Sequence, residues 1–248
     1  MLNKNIARVD EFVLLNSGFC DVCDSETVFE SYNAWLRDNY FCRICRSVPR
    51  ERAIMSTIKK LYGRNGFNKK MIHESSPSPD RYIYNRFKQD VRRYLPTQYY
   101  PDQEFGSMID GCQNENLEKQ TFKNGIFDIV ITLDVMEHVY NPKKEFKEVE
   151  RTLKSGGRNN FFLPMIKKKR TTKRWGKFFK RGKSLFPMPA ENGKPSCKKS
   201  SPVTWHWGFD ITTYIKKSSG MYAEIISEYS QKKGILGEYN EVVVCIKQ

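Results

Sequence analysis

The stretch FDIVITLDVMEHV at residues 127–139, followed one amphipathic helix later by RTLKSGG at residues 151–157, decides how this chain folds. Its apolar run reads as a buried strand that stops at the carboxylate of Asp134 and turns over the polar pair Glu137 and His138. Pro142 then opens a helix whose Phe146, Val149 and Leu153 share one face. Gly156 and Gly157 are expected to end that helix, and a further strand over 160–163 closes before Pro164. Strand, helix and strand in this order describe an open α/β sheet, in which ligands bind at the carboxyl ends of strands, so Asp134 stands at a ligand-binding edge. The plainer alternative is a buried strand and helix start with Asp134 as an N-cap.

Towards the N-terminus the informative residues are cysteines. Cys20 and Cys23 form one C-x2-C pair, and Cys42 and Cys45 form a second after eighteen intervening residues. Two residues between thiols let one tight turn aim both sulfurs at a common point, and two such knuckles supply the four ligands of a closed tetrahedral zinc site. Four protein ligands leave no open position, so the expected Zn2+ is structural. The other three cysteines, Cys112, Cys197 and Cys245, are scattered, which disfavours a disulfide framework.

The segment RSVPRERAIMSTIKKLYG (46–63) follows the second knuckle. Pro49 suits a helix start, and Ala53, Ile54, Ile58 and Leu61 recur at helical spacing, with Arg50, Glu51, Lys59 and Lys60 mostly on the other face. KKMIHE (69–74) reads as a strand and SSPSP as the turn beyond it. RYIYNRFKQDVRRYL (81–95) has a helical period, and TQYY (97–100) a short strand.

Taken together, the C-x2-C ribbon, the CRSVPRERA helix, the HESSP segment at His73 to Pro77 and the FDIVITLDVMEHV…LKSGG pattern resemble a class I S-adenosylmethionine-dependent methyltransferase of the type 11-like kind. The resemblance is to a bacterial group that carries an N-terminal zinc ribbon and an HESSP sequence, and it covers nearly the whole chain from Cys20 onward. It implies a Rossmann-like, seven-stranded, mostly parallel α/β sheet with flanking helices and an antiparallel last strand, plus the small ribbon. S-adenosyl-L-methionine is the implied cofactor. By the same resemblance Glu74 is the acidic residue at the end of the first strand, and Ser75 to Ser78, Ser76 among them, stand where the superfamily has a glycine-rich loop. Asp102, with Glu104 close behind, is the candidate for the ribose hydroxyls. Asn116 would face the adenine amino group and Leu117 would offer backbone and side chain. Asp134 and Val135 would line the methionine part, and His138 would support the turn. A proline-rich turn without a ligand remains the alternative for the serine loop, and His73 alone is as well explained by packing.

With 248 residues, 39% apolar and 13% aromatic, the chain can bury a substantial core. The expected organisation is a ribbon and linking helix over 1–66 and a methyltransferase-like domain over 67–248, with a basic insertion at about 165–203. Fifteen basic residues and one acid lie between Lys154 and Lys199, so nearly all of the net charge of +15 is local. Within that block KKKRTTKRWGKFFKRGK, from Lys167 to Lys183, interleaves cations with Trp175, Phe178 and Phe179. This could grip phosphates and stack on bases, lie on an anionic membrane surface, or flank a small-molecule or glycan acceptor, the last being favoured. No apolar run approaches a membrane span and residues 12–15 are too short for a signal peptide core, so a soluble cytoplasmic protein is expected. The favoured function is methyl transfer to an acceptor the sequence does not name. The alternatives are a catalytically inactive cofactor-binding homologue and a zinc-ribbon nucleic-acid-binding protein, including an RNA methyltransferase. No catalytic residue is assigned. His206, in VTWHWGFD, is either a base or orienting group or a histidine packed between Trp205 and Trp207.

Overall fold

The computed structural model describes residues 14–162, 171–174, 177–178, 184–185 and 203–248. Residues 12 and 13, Cys197, the strand end at 163–164 and most of the basic stretch 167–183 lie outside the described residues. Among the described residues no helix is long and apolar enough to cross a membrane.

The N-terminal module is a hairpin of β1 (Leu14–Cys20) and β2 (Ser25–Ser31), a one-turn α1 (Leu36–Asn39) and the short β3 (Phe41–Cys42), which extends the hairpin antiparallel to β2. Each cysteine knuckle closes the same way. Asp24 N–H donates to Cys20 O at 2.8 Å and Arg46 N–H to Cys42 O at 2.9 Å. Asp24 and Arg46 both take left-handed backbone, φ 58° and 56°, which turns the chain sharply after the second cysteine of each pair. Helix α2 (Pro49–Tyr62) follows, with Pro49 in its first turn and the Glu51 carboxylate accepting from Val48 N–H at 2.9 Å. Here the amphipathic reading needs correction, because Glu51 and Arg52 are buried along with Ala53 to Ile58. The helix passes between the ribbon and the sheet and is covered on both sides.

The main body contains β4 (Met71–Ser75), α3 (Tyr82–Asp90), β5 (Arg93–Gln98), β6 (Met108–Ile109), β7 (Cys112–Asn114), β8 (Phe127–Leu133), α4 (Pro142–Thr152) and β9 (Leu153–Phe162). Four two-residue strands follow, β10 (Lys173–Arg174), β11 (Lys177–Phe178), β12 (Ser184–Leu185) and β13 (Trp205–His206). They pair as β10 with β13 and β11 with β12. Helix α5 (Ile211–Ser219), β14 (Tyr222–Ile226) and β15 (Val242–Ile246) complete the described chain. The central sheet has the order β14-β15-β9-β8-β4-β5-β7-β6. Strands β9, β8, β4, β5 and β7 are parallel, while β15 is antiparallel to both β9 and β14. The sheet is mostly parallel, as expected, and among the described residues it has eight strands, the short β6 lying at the edge.

Several boundaries differ from expectation for identifiable reasons. The helix expected over 81–95 stops at Asp90, because Arg93 to Thr97 pair in register with Met71 to Ser75 and Pro96 disfavours helix in the residue before it. The second strand therefore occupies 93–98 rather than 97–100. Gly156 and Gly157 do not end α4, which stops at Thr152; they lie in β9, where pairing jumps from Phe127↔Leu153 to Ile129↔Arg158. A Cβ on Gly157 would sit 2.8 Å from Lys154 O and 3.1 Å from Phe127 O, so this bulge requires glycine. Strand β14 ends at Ile226. Gly220, at φ 81°, ends α5.

Alternate residues enter opposite cores, the pattern of a sheet covered on both faces. Ile129, Ile131, Val242 and Val244 face the layer formed with α2, α3 and the ribbon, including Cys20, Cys42 and Phe29. Val130, Val243 and Cys245 face α4, α5 and Trp207. The ribbon thus shares its apolar cluster with the sheet.

Candidate cofactor cleft and metal centre

The four cysteines that could hold a metal are brought together by local chain geometry. The two knuckles bring the sulfurs of Cys20, Cys23, Cys42 and Cys45 within 4.8 Å of one another, all four in largely buried surroundings. Cys20 Sγ lies 3.7 Å from Cys45 Sγ, and Cys23 Sγ 3.8 Å from Cys42 Sγ. A tetrahedron of Zn–S bonds of about 2.3 Å has S···S edges of about 3.8 Å, so the donor set fits zinc in both chemistry and size. Ser47 Oγ, 3.1 Å from Cys45 Sγ and 3.4 Å from Cys20 Sγ, and Thr27 Oγ1, 3.4 Å from Cys42 Sγ, can donate to thiolates. Arg52 is fully buried beside this cluster, its guanidinium 4.7 Å over the Phe29 ring, donating to Tyr40 O at 2.8 Å and to Gly234 O at 2.7 Å. Its charge would offset the negative charge that four thiolates would leave around a divalent ion. No sequence signal marks this arginine, because its helical position does not distinguish it from the neighbouring Arg50.

The cleft forms at the carboxyl ends of β4, β5, β7 and β8, where strand order runs one way through β5 and the other through β8. Such a switch point opens a crevice between the loops that leave adjacent strands in opposite directions. Its volume is about 490 Å3, and Ser76, Asn116, Leu117, Asp134, Val135 and His138 all line it. A smaller recess of about 240 Å3 adjoins it, sharing Ser76, Asp134 and Val135, and Glu74 lies there. Asp102 is exposed in the turn beyond β5 and lines neither. Gln98 and Tyr99, at the true end of β5, line the cleft in its place. Their position was legible only with the strand boundary that Pro96 signals.

The loop geometry explains why these side chains converge. Ser76 and Asp134 both adopt left-handed backbone at φ 53°, each immediately after its strand, so the chain bends away and leaves the strand ends open. Ser76 therefore takes the conformation that glycine would adopt without strain. Asn116 Oδ1 accepts from Glu118 N–H at 2.9 Å, and the Glu118 carboxylate accepts from Tyr140 N–H at 2.9 Å and Asn141 N–H at 2.7 Å. That carboxylate ties the loop after β7 to the turn after β8 and fixes the width of the cleft. Glu115, also missed in the sequence, is buried and accepts from Thr121 N–H at 2.9 Å. Asn114 holds the segment after β5, its amide donating to Tyr100 O at 2.9 Å and Gln103 O at 3.0 Å.

The charged groups are unevenly placed. Asp134 is paired with Arg37 at 2.8 Å and Arg50 at 3.0 Å, and the same two arginines pair with Asp38. Beneath the turn, Glu137 is buried with Oε1 4.0 Å from His138 Nε2, and burial, with Asp134 adding repulsion, pushes its carboxyl up to about 8. Burial likewise raises Glu74 to about 7, although a hydrogen bond from Tyr94 Oη at 2.6 Å opposes it. His73 is packed rather than reactive. It is fully buried against Phe122 and Phe127, with Nε2 2.9 Å from Thr97 Oγ1, and burial lowers it to about 3. His206 is not sandwiched by its neighbours, since Trp205 and Trp207 stack directly on each other with centroids 5.7 Å apart. It lines neither the cleft nor the recess.

The two spaces differ in character. Gln98, Asn116 and Glu118 offer polar partners beside the apolar Leu117, Val135 and Val139 in the larger space. Charged groups gather in the smaller one.

Residues 93–160, from β5 through most of β9, match the family model described as a methyltransferase domain. No curated protein matches the sequence. Among solved structures the chain is similar to a S-adenosylmethionine-dependent methyltransferase from Mesorhizobium loti, at 13% identity and TM-score 0.49, covering 78% of this chain and 97% of that one. It is also similar to the glycopeptide N-methyltransferase MtfA complexed with S-adenosyl-L-homocysteine, at 12% identity and TM-score 0.48, covering 78% and 89%. The YcgJ protein of Bacillus subtilis aligns at 14% identity and TM-score 0.37 over 47% of this chain, which spans only 53% of that protein. On the family match and the strand order together, residues 93–160 resemble a methyltransferase domain and lie within a mostly parallel, Rossmann-like α/β sheet.

Proposed function

We propose that the protein is an S-adenosylmethionine-dependent methyltransferase whose larger cleft holds the adenosyl part of the cofactor and whose ribbon holds one structural zinc. The observation that carries this reading is the convergence of Ser76, Asn116, Leu117, Asp134, Val135 and His138 on one crevice at the sheet's switch point. When bound, S-adenosylmethionine supplies a methyl group already activated on a sulfonium, so the chain mainly has to bind, align and exclude water. Leu117 and Val139 offer apolar walls to a base, Asn116 and Gln98 offer hydrogen bonds, and Tyr99 and Tyr140 shield the opening. His138 lines the cleft beside the buried Glu137.

The acceptor in this reading is a small molecule or glycan-type group, a scale consistent with a cleft of about 490 Å3 that also receives the cofactor. The site of action is cytoplasmic, in keeping with four reduced cysteines arranged for metal. Calorimetric titration of the zinc-loaded protein with S-adenosylhomocysteine tests the reading. One-to-one binding, weakened by Asn116→Ala, is expected. A protein that binds neither this product nor S-adenosylmethionine is not a methyltransferase.

A further inference from the structure

The turn between β8 and α4 makes one wall of the larger cleft, through Asp134, Val135, His138, Val139 and Tyr140. Beneath it lie two carboxyls that the proposed function leaves unused. Glu145, in the first turn of α4, is fully buried, and Glu137, in the turn itself, is nearly so. Neither oxygen of Glu145 has a hydrogen-bond partner among the described residues, and nor does Glu137 Oε2. Around them the turn is held down by neighbouring elements. Trp207 Nε1–H donates to Met136 O at 3.0 Å, Thr204 Oγ1–H donates to Glu137 O at 3.0 Å, and the Glu118 carboxylate accepts from Tyr140 N–H and Asn141 N–H. Asn141 O in turn accepts from Glu145 N–H at 3.2 Å, so the end of the turn is built into the helix that carries Glu145.

We infer that a proton on Glu137 latches this turn: the cleft takes its nucleoside ligand while Glu137 is protonated, and loss of that proton frees the turn and weakens binding. The choice of ligand rests on the function proposed above; the latch itself does not. A buried carboxylate needs a cation or several hydrogen-bond donors to stay ionised. Towards α4 the neighbours are acids, since Glu145 lies against both Glu137 and Glu118. Towards the cleft Glu137 faces Asp134, opposed by Arg37 and Arg50, and His138 Nε2 stands 4.0 Å from its Oε1. Both arginines are shared between Asp134 and Asp38, so neither is given over to Glu137. In place the Glu137 side chain is 9% exposed, so hydrating the anion requires the turn to move outward. Burial, with repulsion from Glu118 and Glu137, raises the Glu145 carboxyl well above the ordinary carboxylate range, and it keeps its proton when Glu137 gives one up. Glu137 titrates near 8, so binding is strongest below that pH and is lost as pH rises through it.

The test uses the full zinc-loaded chain. In ligand-free protein the Trp207 indole N–H signal, assigned by its loss in Trp207→Phe, should shift with a midpoint near pH 8 as its bond to Met136 O loosens. Affinity for 5′-methylthioadenosine, a nucleoside thioether with no amino-acid end of its own to titrate, should fall by about tenfold between pH 7 and pH 9, the linkage of one proton leaving near pH 8. Glu137→Gln, neutral at every pH, should abolish both changes, while Glu145→Gln should keep them. An indole signal and an affinity that stay constant from pH 7 to pH 9, or the full pH dependence surviving in Glu137→Gln, overturn the inference and leave the proposed function standing. If the variants do not fold, the wild-type indole titration decides alone. Wild-type protein that binds neither 5′-methylthioadenosine nor S-adenosylhomocysteine at any pH overturns the proposed function, and the indole titration still decides the latch.

Discussion

Arg37, in the single turn of helix that follows the ribbon hairpin, donates to the carboxylate of Asp134 at 2.8 Å, ninety-seven residues away at the end of the central strand. Arg50, just after the second cysteine knuckle, grips the other carboxylate oxygen at 3.0 Å. The ribbon and the cleft are thus joined through partly buried charges, where loss of one partner costs more than at a free surface. Removing the metal should reach the cleft. Zinc-stripped protein, or Cys42→Ser, is expected to melt at lower temperature and to bind S-adenosylhomocysteine more weakly; unchanged affinity in metal-free protein would show that the two arginines do not transmit the loss.

Gly234 tests the ribbon's seat from the other side. It holds φ 62°, its carbonyl accepts twice from Arg52, and a Cβ would lie 2.6 Å from the Phe29 ring. Gly234→Ala combines left-handed strain with overpacking and should cost about 1 to 3 kcal/mol in a denaturant titration. A neutral result would mean that the C-terminal loop yields freely.

Ser76 gives an opposite expectation. Because it already adopts φ 53°, Ser76→Gly should change stability by less than about 1 kcal/mol and preserve cofactor binding, whereas Ser76→Val should lose about 1 to 3 kcal/mol. Equal stability of the two variants would place the turn in another conformation.

Much of this was readable from residue types alone. The four cysteines, the strand ending at Asp134, the proline starts of α2 and α4 and the Gly220 stop each follow from a local rule, and local rules survive folding. What escaped was set by tertiary competition. The helical period of 81–95 lost to strand pairing at Arg93, which moved the cleft residue from Asp102 to Gln98 and Tyr99. The burial of Arg52 and Glu51 depends on a ribbon packed over a helix that was read as one-sided. The pairing of Arg37 with Asp134 is long-range and leaves no periodic trace.

Glu137 provides a pH signature. Its folded carboxyl titrates near 8, above its ordinary value of 4.5. Below 4.5 it is neutral in both folded and unfolded chains and costs nothing; as pH rises from there towards 8 only the unfolded chain ionises freely, and stability falls. Glu137→Gln removes this dependence. Its melting temperature relative to wild type should therefore be higher at pH 8 than at pH 5, by about a few degrees. A constant difference across that window would mean that Glu137 is ionised in the fold.

Amide chemical-shift mapping of the zinc-loaded protein on addition of S-adenosylhomocysteine tests the central claim most directly. Saturable shifts should concentrate at Ser76, Gln98, Tyr99, Asn116, Leu117, Asp134, Val135 and His138, the residues that line the larger cleft. No shifts at saturating ligand, or shifts confined to residues away from the ends of β4, β5, β7 and β8, would contradict it.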